Sequence, residues 1–389
     1  MNTEKIKLFF QGRKGLLPKI EAAFRGQEDI IWFHVASYGE FEEARPVIEA
    51  TRARFPQRKI LLTVFSPTVY IPMQHYSQVD WVFYLPVDTP WSVRRFLSAV
   101  RPAKAIFTLT DFWPFLLNGL RRRKVDTYIM SVHIEAGSHH LKWYDFLFRS
   151  IMRRCYKCVM VQDQESFRLL TELGVPRVKI TGDPRMDRVM SIADRPWSNP
   201  ILDQWSGGEK VFVAGSTYAI ENQMILDVAN AHPQQKFLIV PHEIEDEQVK
   251  AILEGSRHGA TRYTDFHAGA QILVVDTVGI LSRLYRYGYA AYVGGAFTEG
   301  APHSVVEPAS YGIPVAFGPD YQRDAHARDL VACEAGFSVS DRKELEAFFE
   351  KVQEDAAFRE RSGHQAADYC RSRAGATQAI METLFGPEA

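Results

Sequence analysis

Glu40 is well placed for acid–base chemistry in the first part of the chain. In HVASYGEFEEARP, residues 34–46, an apolar strand leads through Ser37-Tyr38-Gly39 to Glu40 at the start of a helical stretch. We expect Gly39 to permit a tight turn because it has no Cβ, and the helix N-terminus to favour an ionised Glu40. A carboxylate there suits a general base acting on an acceptor hydroxyl. The alternative is a surface glutamate that only complements the helix dipole, as we expect for Glu42 and Glu43.

A second acid follows another strand in TLTDFWPFLL, residues 108–117. Asp111 precedes Phe112-Trp113-Pro114, and proline suits the first turn of a helix. Capping of that helix by Asp111 is one interpretation. A ligand-binding role is the other, since the carboxyl ends of parallel strands collect ligand-binding groups.

The stretch GGAFTEGAPHSVVEPASYGIPVAFGP, residues 294–319, has the spacing of a ribose–phosphate site. Gly294 and Gly295 end a strand, where a ligand can approach the backbone closely. Pro302 suits a helical first turn, which would put His303 and Glu307, at i and i+4, on one face. A carboxylate there can accept two ribose hydroxyls, and the helix N-terminus can meet a phosphate.

Three more strand ends in the second half carry polar groups. Their residues are Gly215, Ser216 and Thr217, then Pro241, His242 and Glu243, then Asp276 and Thr277. Gly215, Ser216 and Thr217 suit a phosphate cradle. His242 could donate a hydrogen bond to a phosphate or a base, and Thr277 could cap the following helix. Alone, each is equally typical of an ordinary strand–helix turn; on one sheet edge they predict a nucleotide site. The absence of a P-loop lysine and of G-x-G-x-x-G disfavours NTPases and dehydrogenases.

These groups are positioned by short, continuously apolar strands that alternate with amphipathic helices, which is typical of parallel sheets covered on both faces. The pattern pauses at the Pro-, Ser- and Gly-rich residues 194–209 and then restarts. We therefore predict an α/β protein with two doubly wound Rossmann-like domains, 1–195 and 196–389, and a ligand cleft between them. The C-terminal helices are expected to pack back on the first domain. This GT-B-like layout also fits binding proteins and some epimerases.

Composition excludes several classes of protein. The 389 residues are 46% hydrophobic and 24% charged, with a net charge of -1, so no overall field attracts nucleic acid. Cys155 and Cys158 form a C-x-x-C without a second pair at zinc spacing, which favours structural thiols over a metal site. The apolar runs are too short for a membrane-spanning helix.

The motifs together resemble the 3-deoxy-D-manno-oct-2-ulosonic acid (Kdo) transferases of lipopolysaccharide assembly, which are bacterial GT-B enzymes. The family's W-x-H-x-x-S-x-G-E corresponds to Trp32–Glu40, its acid before Trp-Pro to Asp111–Pro114, and its P-H-E form to Pro241–Glu243. The remaining matches are Gly215-Ser216-Thr217 with Glu221, Asp276-Thr277-Val278-Gly279, and Gly294, Gly295, Gly300, His303, Glu307 and Pro308. The resemblance covers essentially the whole chain.

The resemblance implies an inverting transferase that moves Kdo from CMP-Kdo to a tetraacylated lipid A precursor (lipid IVA), with no metal or other cofactor. Glu40 corresponds to the family's proposed base, with Ser37, Gly39, Asp111 and Trp113 on the acceptor side. The donor side comprises the second-domain residues named above, including Gly279. The alternatives are a GT-B relative with another donor or acceptor, and a nucleotide-binding paralogue with weakened catalysis.

This chain departs from the family's pattern at three motif positions, which bear on activity, and at its start, which bears on location. Where this chain has Asp111, the family usually has Glu. Many members also have Glu where this chain has Leu109, and Asn is common where it has Ser304. Members usually begin with a membrane-anchoring helix, and this chain starts about where that helix would end. We therefore expect the cytoplasmic face of the inner membrane, reached peripherally or through an anchor absent from this chain. Basic and aromatic residues at 121–124 and 142–157 are the expected docking surface.

Overall fold

The computed structural model describes residues 9–109, 111–135, 137 and 146–387, and contacts divide the chain into two units. The first unit comprises Met1–Asp187 and Ala374–Ala389, and the second comprises Arg188–Arg373. The sequence placed this boundary after residue 195, whereas the structure places it earlier, within the helix Pro184–Asp194. The last helix belongs to the first unit.

The first unit is built on a parallel sheet of seven strands among the described residues. They are β1 (Ile30–Val35), β2 (Ile60–Val64), β3 (Trp81–Tyr84), β4 (Pro102–Thr108), β5 (Asp126–Val132), β6 (Cys158–Val161) and β7 (Val178–Ile180). Their order is β3-β2-β1-β4-β5-β6-β7. Every residue of β1 and β2 is buried, which explains why these strands are apolar without alternation.

The described helices of the first unit connect these strands and cover the sheet. They are α1 (Leu16–Ala23), α2 (Tyr38–Arg54), α3 (Pro67–Met73), α4 (Pro90–Val100), α5 (Pro114–Arg122), α6 (Phe146–Arg154), α7 (Gln164–Glu172) and the first residues of α8 (Pro184–Asp194), which continues into the second unit. Residues 9–13 are also helical. Across all described residues, no helix combines the length and the apolar composition needed to cross a bilayer.

The second unit repeats the architecture. Its strands are β8 (Val211–Thr217), β9 (Phe237–Pro241), β10 (Ala260–Arg262), β11 (Ile272–Val274), β12 (Gly288–Val293), β13 (Val315–Phe317) and β14 (Gly336–Ser338), all paired in parallel. Their order is β10-β11-β9-β8-β12-β13-β14. The helices of this unit are α9 (Pro200–Ser206), α10 (Ala219–Ala231), α11 (Asp246–Gly255), α12 (Leu281–Leu284), α13 (Val306–Ala309), α14 (Ala325–Ala332), α15 (Arg342–Glu354) and α16 (Ala356–Ser372).

The last helix, α17 (Ala376–Phe385), packs against α2 in the first unit. The carboxylate of Asp187 accepts hydrogen bonds from the backbone N–H groups of Gly375 and Thr377, at the start of α17. Lys179 donates to the hydroxyl of Thr383 further along the same helix. A buried face and a capped N-terminus together fix α17 on the first sheet's helical layer.

Each sheet has one point where the direction of winding reverses. It lies between β1 and β4 in the first unit and between β8 and β12 in the second. Ligands of open α/β sheets bind outside the carboxyl ends of the strands at such points. Glu40 and Asp111 follow β1 and β4, while Ser216 and Gly294 lie at the ends of β8 and β12. Two doubly wound Rossmann-like domains are thus confirmed, and both sets of predicted site residues lie at a switch point.

Candidate active site and nucleotide site

Glu40 lies in the first turn of α2 and is held by the turn that precedes it. Ser37 is the N-cap, and its hydroxyl accepts the Glu40 backbone N–H at 3.3 Å. The expectation that Gly39 makes a special turn is wrong, because Gly39 already belongs to the helix and has no positive φ. A Cβ added at Gly39 would meet no atom closer than the Ser37 hydroxyl at 3.9 Å. Gly39 therefore leaves open space beside Glu40.

The Glu40 carboxyl group titrates near neutrality. One oxygen accepts the backbone N–H of Ala36 at 2.5 Å. Burial raises the pKa of Glu40 to about 7, although the hydrogen bonds from Ala36 and Ser37 oppose the shift. A carboxyl group with this pKa is about half ionised at pH 7 and suits a general base.

Asp111 faces His34 instead of capping a helix. The predicted capping role is wrong, because Asp88 accepts the backbone N–H groups of Phe115 and Leu116 at the start of α5. Asp111 Oδ2 lies 3.3 Å from His34 Nε2, with the Asp111 side chain only 8% exposed. Burial, and secondly the charge of Glu40, raise the pKa of Asp111 well above its ordinary value, whereas Trp113 lowers it.

Glu43 is buried, which corrects the expectation that it is a surface residue. It lies one turn after Glu40 on α2, and its carboxyl oxygens are 3.4 Å from Gln162 Nε2 and 3.7 Å from Arg185 Nε. Burial raises the pKa of Glu43 to about 8, against the opposing charge of Arg185. The carboxyls of Glu40, Glu43 and Asp111 thus interact at one edge of the sheet, and their environments push their pKa values upward.

In the second unit, other residues of the protein pack against most of the carboxyl end of β8. Thr217 is fully buried and donates its hydroxyl to Asn222 Oδ1 at 2.5 Å, so the predicted phosphate contact of Thr217 is wrong. A Cβ at Gly215 would collide with the Tyr285 hydroxyl. Ser216 is half-buried and has a positive φ of 53°. Of this set, Ser216 presents the accessible hydroxyl.

Glu221 ties the ends of β8 and β12 together. Its buried carboxylate accepts the backbone N–H groups of Tyr218 at 2.8 Å and Gly295 at 2.9 Å, and the hydroxyl of Tyr292 at 3.2 Å. A Cβ at Gly294 would lie 2.5 Å from the same carboxylate. The absence of a side chain at Gly294 therefore makes room for Glu221, not for a ligand as expected from the sequence.

His242 and His303 meet with Tyr218 in a cluster of three rings. The His242 and His303 centroids are 4.3 Å apart with nearly parallel rings, and Tyr218 lies 4.9 Å from His242. The Tyr218 hydroxyl is 3.2 Å from His303 Nε2. Burial, and then the neighbouring His242, lower the pKa of His303 to about 4, so His303 is neutral at pH 7.

His303 and Glu307 do not share a helical face, so that prediction is wrong. His303 lies in the loop before α13, where its backbone N–H bonds to the carbonyl of Gly294. Pro302 likewise precedes the helix, which spans a single turn. Glu307 lies in that turn. Burial raises the pKa of Tyr285 and of Tyr311, and the charge of the nearby Glu307 adds to both shifts.

The remaining predicted residues follow β9 and β11. Pro241 is buried at the end of β9, whereas His242 and Glu243 are exposed. Asp276 accepts the backbone N–H and hydroxyl of Thr264, so it is part of the loop structure. The predicted cap at Thr277 is wrong, because α12 begins after Ile280, and Gly279 lies exposed between them with a φ of 87°.

A possible metal-ligand set in the described residues lies elsewhere. The ligand atoms of His232, Glu346 and Glu350 lie within 4.8 Å of one another, at the end of α10 and on α15. Glu346 already pairs with Arg342 at 3.1 Å. The predicted independence from metals and cofactors stays a prediction.

Sequence reasoning missed His34, Glu43, Asp88 and Tyr218. For His34, the available signal was its own position, as an ionisable residue inside an otherwise apolar strand. The apolar face of α2, formed by Phe41, Ala44, Val47 and Ile48, flanks Glu43 and was the signal for its burial. Nothing local indicated Asp88 or Tyr218, because their roles depend on residues from other strand ends.

The family described as 3-deoxy-D-manno-octulosonic-acid transferase (kdotransferase) matches residues 10–188. A 3-deoxy-D-manno-octulosonic acid transferase of Aquifex aeolicus is 27% identical over 348 residues, covering 86% of this chain and 89% of the relative. One of Haemophilus influenzae is 26% identical over 367 residues, covering 91% and 86% respectively.

Solved structures of low sequence identity share the fold. A UDP-GlcNAc 2-epimerase from Neisseria meningitidis is 15% identical with a TM-score of 0.64, covering 91% of this chain and 99% of that one. MurG from Acinetobacter baumannii is 13% identical with a TM-score of 0.58, covering 92% and 99%. The fold is of the GT-B type. With the motifs at both switch points and the relatives that span most of its length, the chain is a glycosyltransferase that is similar over most of its length to the 3-deoxy-D-manno-octulosonic acid transferases.

Proposed function

We propose that this enzyme transfers Kdo from CMP-Kdo to the tetraacylated lipid A precursor, with inversion at the anomeric carbon. The single observation that carries the mechanism is the half-buried Glu40 at the first switch point, which accepts the Ala36 backbone N–H and whose pKa is raised to about 7. Its carboxylate takes the proton from the acceptor hydroxyl as that oxygen forms the new bond to the anomeric carbon. The bond from that carbon to the CMP phosphate breaks, and CMP leaves as the anion.

The acceptor side is proposed to lie around Ser37, Gly39, Asp111 and Trp113. The open space at Gly39 lets an acceptor hydroxyl approach Glu40. Burial, and then the charge of Glu40, raise the pKa of Asp111 well above its ordinary value, which disfavours a second negative charge beside the base. Two neighbouring carboxyls with different protonation states are a common arrangement for acid–base chemistry.

The donor side is proposed to use the accessible groups at the second switch point. Ser216 and the exposed His242 and Glu243 are available to polar groups of the nucleotide. The clustered rings of Tyr218, His242 and His303 offer a flat surface against which a pyrimidine or ribose can pack. Glu307 is the proposed ribose ligand.

Nucleotide selectivity tests the donor proposal. CMP is expected to raise the thermal unfolding temperature of the protein more than UDP or GDP at equal concentration, because ligands that bind only the native state stabilise it. Replacing His303 with alanine removes one ring of the cluster and is expected to weaken CMP binding by about tenfold. Stabilisation by UDP alone would overturn the choice of donor. Replacing His258, an exposed histidine on the loop before β10, is the matched control.

A lipid acceptor also requires a surface that meets the membrane, and the structure offers an apolar one at the same edge of the sheet as Glu40. Val87, Trp91 and Phe115 follow β3 and β4 at the carboxyl edge of the first sheet, with exposures of 51%, 64% and 51%. Asp88 joins the loop after β3 to the start of α5, which brings these side chains together. We propose this apolar rim as the membrane-docking surface.

The docking surface expected from the sequence differs from this rim. The basic run at 121–124 lies at the end of α5, toward the opposite edge of the sheet from Glu40. Residues 142–145 lie outside the described residues, while Phe146 and Leu147 are exposed at the start of α6. The two surfaces can be separated experimentally.

Vesicle flotation with mixed zwitterionic and anionic lipid measures which surface docks. The double variant W91S/F115S is expected to reduce the bound fraction at least fivefold, because it removes two large apolar side chains from the interface. The double variant R121S/R122S is expected to bind like the wild type. The reverse pattern would reject the rim and favour the basic run.

A further inference from the structure

His34 is a buried polar residue that the proposed reaction does not yet use. It lies in the middle of β1 and is fully buried. Its Nδ1 is 3.0 Å from the carbonyl oxygen of Thr63 and 2.8 Å from the Thr63 hydroxyl, on the neighbouring strand β2. The indole N–H of Trp32 donates to the same hydroxyl at 2.8 Å.

These contacts favour one tautomer of His34. The Thr63 hydroxyl can either donate to Nδ1 or accept from it, but the Thr63 carbonyl oxygen can only accept, so the pair of contacts favours a proton on Nδ1. Burial lowers the pKa of His34 to about 3, and the ring is therefore neutral with a single N–H. Nε2 then carries a lone pair, and it is buried.

The partner of this lone pair is the carboxyl of Asp111. His34 Nε2 and Asp111 Oδ2 are 3.3 Å apart, and among the described residues neither atom has another partner that meets hydrogen-bond geometry. Trp113 lies near the Asp111 carboxyl and lowers its pKa, but burial and the charge of Glu40 raise it more. An ionised Asp111 would place two acceptors against each other without water, which is unfavourable in a buried site. A proton on Oδ2 converts the contact into an O–H···N hydrogen bond.

We propose that His34 is a positioning residue: its Nε2 accepts a hydrogen bond from protonated Asp111 and so holds that carboxyl neutral and fixed beside Glu40. The backbone carbonyl of Asp111 is held as well, by the hydroxyl of Tyr156 at 3.3 Å. Trp113, which follows Asp111, packs edge-on against the His34 ring at 5.7 Å between centroids.

The other charged groups around His34 and Asp111 also favour a neutral imidazole and a neutral carboxyl. Arg13 approaches His34 closely enough to disfavour a positive imidazole. Glu40, from α2, disfavours a negative Asp111. If Asp111 were ionised, its charge would raise the pKa of Glu40 further and leave less of the base ionised at pH 7. This consequence for the rate rests on the proposed function, whereas the tautomer of His34 does not.

Nitrogen-15 NMR of the histidine-labelled full chain tests the tautomer directly, with the His34 signals assigned by their loss in H34Q or, if H34Q does not fold, by their shift in D111N. The expected result at pH 7 is a protonated Nδ1 and an unprotonated Nε2. A proton on Nε2 would overturn the proposal. Because this readout needs no substrate, it remains decisive even if the enzyme transfers no Kdo.

The pH dependence of kcat/KM provides the second test. D111N is neutral and can donate an amide N–H to His34 Nε2, so the midpoint of the acid limb is expected to stay unchanged, even if kcat/KM itself falls. H34Q can offer an N–H to an ionised Asp111, and its acid limb is expected to move upward by about one pH unit. A D111N midpoint clearly below that of the wild type would show that Asp111 is ionised in the wild type, and would reject the proposal.

Discussion

Replacing Glu40 with glutamine is expected to lower kcat for Kdo transfer by about 10²- to 10⁴-fold, the usual contribution of a general base. Glutamine keeps the shape of the side chain but cannot accept the proton of the acceptor hydroxyl. In the wild type, kcat/KM is expected to rise through about pH 7, because the base must be ionised and the pKa of Glu40 is about 7. This acid limb should vanish in E40Q.

The measurement is initial-rate transfer of radiolabelled Kdo over a range of pH values. E49Q is the matched control, since Glu49 lies on the same helix with its side chain 47% exposed and pairs with Arg45. It should retain wild-type rates. The KM for CMP-Kdo in E40Q should also stay near the wild-type value, because the donor is proposed to bind in the second unit. Wild-type rates in E40Q would remove Glu40 from the role of base.

Replacing Glu43 with glutamine is expected to stabilise the protein increasingly as the pH rises. The pKa of Glu43 is raised to about 8 by burial, from an ordinary value of 4.5. Between these two values the native state holds a proton that the unfolded state has released, so the free energy of unfolding of the wild type falls as the pH increases. One pKa unit corresponds to about 1.4 kcal/mol, and the total is on the order of several kcal/mol.

Glutamine resembles the protonated form of Glu43 and does not titrate. The difference in unfolding free energy between E43Q and the wild type should therefore grow between pH 5 and pH 8, by on the order of 3 kcal/mol. Urea denaturation at several pH values measures this difference. Glu40 also has a raised pKa, so part of the wild-type trend should persist in E43Q. A variant that becomes less stable relative to the wild type as pH rises would instead show that Glu43 is ionised and paired with Arg185.

The architecture could be predicted because it depends on local sequence patterns, namely the runs of apolar residues that form strands and helices. Apolar runs such as those at residues 30–33 and 211–214 form the buried parts of strands covered on both faces, as expected for parallel sheets. The placement of Glu40 and Asp111 at strand ends followed from the same pattern. Parallel strands bring these ends to one edge regardless of their separation in sequence.

The contacts at each strand end were not predictable, because they join segments far apart in the chain. Asp111 meets His34, which lies on β1, only because β1 and β4 are neighbours. The loop that holds His303 is fixed by a backbone bond to Gly294, which prevents the helix expected from Pro302. Gly294 was expected to let a ligand approach and Gly215 to help hold a phosphate, but the groups next to these glycines are Glu221 and Tyr285 of the protein itself. Sequence spacing thus placed these residues at the ends of strands but did not predict which residues they contact.

The most direct test of Kdo transfer is the reaction itself. The purified chain is incubated with CMP-Kdo and the tetraacylated lipid A precursor in lipid vesicles, and the lipid product and released CMP are measured by mass spectrometry and chromatography. The account predicts a lipid product carrying Kdo, with one CMP released for each Kdo transferred. CMP-Kdo left unchanged, while a UDP- or GDP-linked sugar is transferred under the same conditions, would contradict it.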